Sequence, residues 1–95
     1  MKIKRNAKIW AALAESCDTP GYFIKCVMAL RNENAVSLSK KLNTTPAYVA
    51  MVAGDKCAVG FKACIRIANV LDIDPYLLAR IWTDYSIRKL INKEK

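Results

Sequence analysis

Apolar residues recur three or four positions apart along most of the chain, the spacing of amphipathic helices. Ile9, Trp10 and Leu13 lie on one side of a helix expected over residues 2–16, with Lys4, Arg5 and Lys8 nearby. Phe23, Ile24, Val27 and Leu30 form the stripe of a second helix, over residues 20–31. Val36, Leu38 and Leu42 mark a third, and Val49 and Val52 face the core from a fourth. Phe61, Cys64, Ile65, Ala68 and Leu71 share one face of a helix over residues 60–71, and the last helix runs from residue 75 to about 92. The fold class is therefore all-α, a compact bundle of about five to six helices. Residues 1–95 read as one domain, with an extra helix at 2–16, a core at 20–74 and a C-terminal helix at 75–92.

The breaks carry capping chemistry. Thr19-Pro20 and Thr45-Pro46 each place a capping hydroxyl before a proline at the first helical position, and Asp74-Pro75 repeats the device with a carboxylate. Asn34 is placed to cap the third helix, and Gly54 is free to take the positive φ of a helix exit. The likeness of T-P-G-Y-F to T-P-A-Y-V reflects convergent capping and not duplication. The last helix has two apolar faces: Leu78, Ile81, Trp82 and Tyr85 on one side, and Tyr76, Ile87, Leu90 and Ile91 on the other. Either it bends between them, or the second face meets another chain, which makes Tyr76, Ile87, Leu90 and Ile91 the expected dimer interface.

Charge and composition narrow the partners. Sixteen Lys and Arg stand against eight Asp and Glu, a formal net charge of +8. Such a domain is drawn to polyanions, since neutralising phosphates releases condensed counterions. Nucleic acid comes first and an anionic membrane surface second. The apolar run Ile9 to Ala14 is six residues, shorter than a signal-peptide core, and no run reaches the ~18 residues of a membrane span. A cytoplasmic location is expected, with no membrane partner. Cys17, Cys26, Cys57 and Cys64 form no C-x-x-C and the chain has no histidine, so they read as reduced thiols filling space, with no metal or cofactor expected. With no glycine-rich phosphate loop and no carboxylate pair spaced for acid–base work, neither an enzyme nor a small-molecule substrate is expected.

Residues 38–56, L-S-K-K-L-N-T-T-P-A-Y-V-A-M-V-A-G-D-K, carry the most definite meaning. A short helix ends at Leu42, the chain turns at Asn43-Thr44, and a second short helix starts at Thr45, the layout of a helix-turn-helix. Leu38, Leu42, Val49 and Val52 hold the core spacing, Ser39 is small where two helices approach, and Asn43 tolerates a left-handed turn. The continuation F-K-A-C-I-R-I-A-N-V-L-D-I-D-P-Y-L-L follows without a gap. On these residues the stretch from Ala35 to Leu78 resembles the Cro and lambda-repressor-like family of prokaryotic and phage DNA-binding domains.

That resemblance implies a helix-turn-helix domain that lays its second helix in the major groove of double-stranded DNA. Carried over position by position, the base-facing residues are Pro46, Ala47, Ala50 and Met51, with Tyr48 beside them. Lys40, Lys41, Thr44, Thr45, Lys56 and Lys62 are the expected phosphate contacts. The chain departs from the family in two respects: Ala35 stands where a phosphate-clamping glutamine is common, and no Arg, Gln, Asn or Ser occupies the base-facing positions. Bidentate base contacts are then missing, so affinity must come mainly from phosphates and DNA shape. The expected function is a small phage- or prophage-type transcriptional regulator, a homodimer on a two-fold-related operator. The alternative is a protein-interaction module, a phage-encoded inhibitor or adaptor, on the same fold.

Overall fold

A computed structural model describes residues 8–94. Among these, six α-helices and no strand are present: α1 (Lys8–Glu15), α2 (Pro20–Leu30), α3 (Ala35–Leu42), α4 (Pro46–Ala53), α5 (Phe61–Leu71) and α6 (Pro75–Glu94). The protein is all-α. The first helix begins at Lys8, and residues 2–7, with Lys4 and Arg5, lie outside the described residues. Arg31 is the C-cap of α2 and not its last turn, and α6 continues two residues past the expected end at 92.

Helix starts follow the sequence closely. Thr19 Oγ1 accepts from the Tyr22 N–H at 3.2 Å, and Thr45 Oγ1 from the Tyr48 N–H at 3.1 Å, each before a proline at the first helical position. Asn34 and Ser37 form a reciprocal capping box, both bonds 2.9 Å. Asp74 Oδ1 accepts from the Tyr76 N–H at 3.1 Å. Each such cap is worth about 1 kcal/mol.

Four helix exits are made by asparagine and aspartate and not by glycine. Asn32, Asn43, Asp55 and Asp72 all take the left-handed conformation, with φ of 58°, 57°, 58° and 57°. The residue after each bonds back to the helix it leaves: Glu33 to Met28, Thr44 to Ser39, Lys56 to Met51 and Ile73 to Ala68, at 2.8–2.9 Å. These are Schellman closures, which satisfy carbonyls the helix leaves open. The role expected of Gly54 falls instead to Asp55: Gly54 has φ −94° and ψ 6°. α2 ends in the same way, with Arg31 at φ −96° and Asn32 left-handed.

The core gathers Trp10, Phe23, Ile24, Val27, Leu38, Leu42, Val49, Val52, Leu71, Ile73, Leu78 and Trp82. α3 packs on α4 and α5, α2 on α1, α4 and α6, and α5 on α6. Several stripes are rotated from expectation. In α5, Ile67 is buried with Cys64, Ala68 and Leu71, while Phe61 and Ile65 are exposed. Leu30, Val36 and Ile9 are also exposed.

Two ties fix the packing across long sequence separations. Asp55 Oδ1 accepts from the Gly21 N–H at 2.9 Å, placing a carboxylate at the positive end of α2. A Cβ on Gly21 would lie 2.5 Å from the Ala53 carbonyl oxygen, so α2 meets the end of α4 only because residue 21 has no side chain. Arg31 closes the other end of the domain. Its Nε and one terminal nitrogen donate to the carbonyls of Leu71 and Asp72, both at 3.0 Å, and its guanidinium lies 5.0 Å from the centre of the Trp10 ring.

Candidate functional site

The outward side of α4 and the turn before it form the surface that the sequence singles out. Asn43, Thr44 and Thr45 join α3 to α4. Ser39, 2% exposed, donates its hydroxyl to the Val36 carbonyl at 2.7 Å, so a small polar residue sits buried on α3 without an unmet bond. α4 turns Val49, Val52 and Ala53 inward. Pro46, Ala47, Ala50 and Met51 are exposed on its other side. A larger or charged side chain at Val49 or Val52 would break this division.

Tyr48 does not join that outward row. It is half-buried against the core and lines a cleft of about 180 Å³ with Leu42, Asn43, Thr44, Ala63, Arg66 and Ile67. It therefore faces α5, through Ala63, Arg66 and Ile67. On the opposite flank, a groove of about 390 Å³ runs between α2, the start of α3 and α4, with Lys25, Met28, Ala35 and Ala50 on its walls.

The expected phosphate contacts divide. Lys40, Lys56 and Lys62 are exposed. Lys41 is engaged: its ammonium pairs with Glu33 Oε2, and Ser37 Oγ donates to Glu33 Oε1 at 2.6 Å. The Lys41 ammonium, then the Ser37 hydroxyl, hold the Glu33 carboxyl below its ordinary value of 4.5. Thr44 is half-buried, and its N–H closes the α3 exit. Thr45 is exposed, with its oxygen accepting the α4 cap bond and its hydroxyl proton left to donate outward.

Arg66, which no local pattern marked, belongs beside this surface. A terminal nitrogen donates to the Leu42 carbonyl at 2.5 Å, meeting the partial negative charge at the end of α3 from a position 24 residues away. It braces the turn from the α5 side.

α6 is one uninterrupted helix, and nothing beyond Trp82 is buried in it. Tyr76, Ile87, Leu90 and Ile91 are 84%, 51%, 62% and 52% exposed, so the second apolar face is free of this chain's own core. An Asp84–Arg88 ion pair at 2.7 Å flanks it, and Lys89 covers the Tyr85 ring on the other side.

Among the described residues, no group of three or more His, Cys, Asp or Glu side chains is placed to hold a metal ion. No described helix is long and apolar enough to cross a membrane. No protein-family model matches this sequence, and no curated protein matches it.

Proposed function

We propose that this protein is a dimeric, phage- or prophage-type DNA-binding regulator of the lambda-repressor-like kind, working in the cytoplasm and docking α4 in the major groove of an operator. The observation that carries the reading is the division of α4: three residues buried, Pro46, Ala47, Ala50 and Met51 exposed, at the end of a three-residue turn braced by Asn43 and Arg66. Such a helix lies at the surface as a rigid rod, as groove insertion requires. Lys40, Lys56 and Lys62 would meet phosphates around it, with the Thr45 hydroxyl as a further donor. Ala50 and Met51 offer apolar contact to thymine methyl groups, and the half-buried Tyr48 would meet the backbone. The exposed stripe of α6 supplies the contact between two copies.

One observation favours a second reading, a protein-binding module. The outward row of α4 carries no charge and no bidentate donor, and Met51 is 45% exposed, as suits an adaptable apolar contact. A mobility shift with mixed genomic DNA at moderate salt separates the two. Retention that weakens when Lys40, Lys56 and Lys62 are replaced supports the regulator; no retention supports the module. For the dimer, L90D/I91D should halve the mass in solution, and an unchanged mass would refute the α6 contact.

A further inference from the structure

Alanine stands on three sides of the groove beside α4. Ala29 on α2, Ala35 at the start of α3 and Ala50 on α4 all line it, so no side chain longer than a methyl group reaches in from those positions. Met28, Val49 and Ala53 also line it and are buried, which gives the groove an apolar floor. Met28 is unbranched and polarisable, a side chain that adapts to what rests against it. The space is about 390 Å³, within the roughly 300–1,000 Å³ of sites that hold small molecules. The larger cleft between α1 and α6, about 580 Å³, differs: Glu15, Asp18 and Asp84 line it together with Arg80 and Arg88, and charges of both signs select no ligand class.

Charge sets the second property of the α4 groove. Two charged residues line it, Lys25 and Glu33. Glu33 is already engaged: its side chain is 8% exposed, one carboxylate oxygen takes the Lys41 ammonium, and the other takes the Ser37 hydroxyl. Lys25 is exposed and forms no ion pair among the described residues. The charge left at the rim is therefore positive.

We infer that this groove binds a small apolar molecule carrying one negative charge, an aromatic or aliphatic carboxylate, with its hydrocarbon against Met28, Val49 and the alanines and its anion at the Lys25 ammonium. Burial of the hydrocarbon supplies most of the affinity. Lys25 supplies the preference for an acid, worth about two- to fivefold for a pair at an exposed rim. The site stands without the DNA-binding reading. Ala50 belongs both to the groove and to the outward row of α4, so an occupant competes at that edge with whatever α4 docks against.

The test titrates the full chain with anilinonaphthalene sulfonate, an apolar monoanion, and with its uncharged relative phenylnaphthylamine. Fluorescence gives the affinity, and amide NMR shifts locate the probe. The expected result is saturable binding of one sulfonate per chain, with shifts centred on Ala29, Ala35 and Ala50. Phenylnaphthylamine, and the sulfonate on Lys25→Gln, should bind about two- to fivefold more weakly. Ala29→Leu and Ala50→Leu, at exposed helical positions that suit leucine, should weaken binding about tenfold or more by filling the groove, with thermal unfolding showing that each variant folds. Shifts confined to Ile87, Leu90 and Ile91 on α6, or unchanged affinity in both leucine variants, would overturn the site. Equal affinity for the two probes would overturn its preference for an anion.

Discussion

Gly21→Ala tests the packing that holds α4 in place, because two physical effects give it opposite signs. Gly21 is the second residue of α2, and its φ is not positive, so helix propensity alone favours alanine by up to about 1 kcal/mol. The structure says otherwise. The new methyl would meet the Ala53 carbonyl oxygen at 2.5 Å, its carbon at 2.8 Å and Asp55 Oδ2 at 2.7 Å. Two of these atoms are backbone at the end of α4 and cannot rotate away. Overpacking of this kind costs about 1–3 kcal/mol. Pushing the helices apart also stretches the bond from the Gly21 N–H to Asp55, a charge-assisted bond worth about 1.5–3 kcal/mol. Set against the propensity gain, a net loss of about 2–4 kcal/mol is expected. In a domain of this size that is a fall in Tm of roughly 10–20 °C. Thermal unfolding followed by circular dichroism measures it, with Asp55→Ala and the double variant completing a cycle. The two single losses should overlap and not add, because both disturb one contact. An unchanged or raised Tm for Gly21→Ala would refute the close approach of α2 to α4.

Three further outcomes follow from single side chains. Arg31→Ala should cost about 2–4 kcal/mol in urea unfolding, from two charge-assisted bonds and the contact with Trp10, and Arg31→Lys should recover little of it because an ammonium cannot span both carbonyls. Asn43→Gly should leave stability equal or raise it by less than about 1 kcal/mol, whereas Asn43→Ala should lower it by about 1 kcal/mol, since φ is 57° there. Glu33, held below 4.5 in the folded chain, contributes stability that is fully present above that value. That contribution is lost as pH falls through the lower folded value, so Glu33→Gln should flatten the acid limb of the stability–pH curve.

The helix starts were legible because capping is local: Thr19, Asn34, Thr45 and Asp74 each act within three residues of themselves. The inward row Leu38, Leu42, Val49 and Val52 is buried as its helical spacing implied, although α4 is apolar on both faces and its own composition does not mark which side turns inward. α5 was ambiguous. Phe61 and Ile65, or Ile67, could complete a stripe with Cys64, Ala68 and Leu71, and the positions of α3 and α6 decide for Ile67. Arg31, Arg66 and the Gly21–Asp55 contact act across 40, 24 and 34 residues, distances over which no spacing rule operates. Asp55 combines both scales: it takes the left-handed position one residue past Gly54, and its carboxylate reaches the start of α2. At the candidate site, sequence identified the surface but not its edges. Tyr48 turns towards α5, and Lys41 is taken up by Glu33.

The central claim is that the face around α4 binds duplex DNA largely through phosphates. Fluorescence anisotropy with a labelled duplex, repeated over a range of salt, tests it most directly. If the exposed Lys40, Lys56 and Lys62 each meet a phosphate, with the exposed Lys41 held by Glu33 and the exposed Arg66 by the Leu42 carbonyl, the slope of log K against log salt is about −3 per bound subunit. Lys40→Ala should reduce that slope by about one, and Lys41→Ala should change it less, because its ammonium is already paired with Glu33. A slope near zero, or a slope unmoved by replacing all three lysines, would contradict the account.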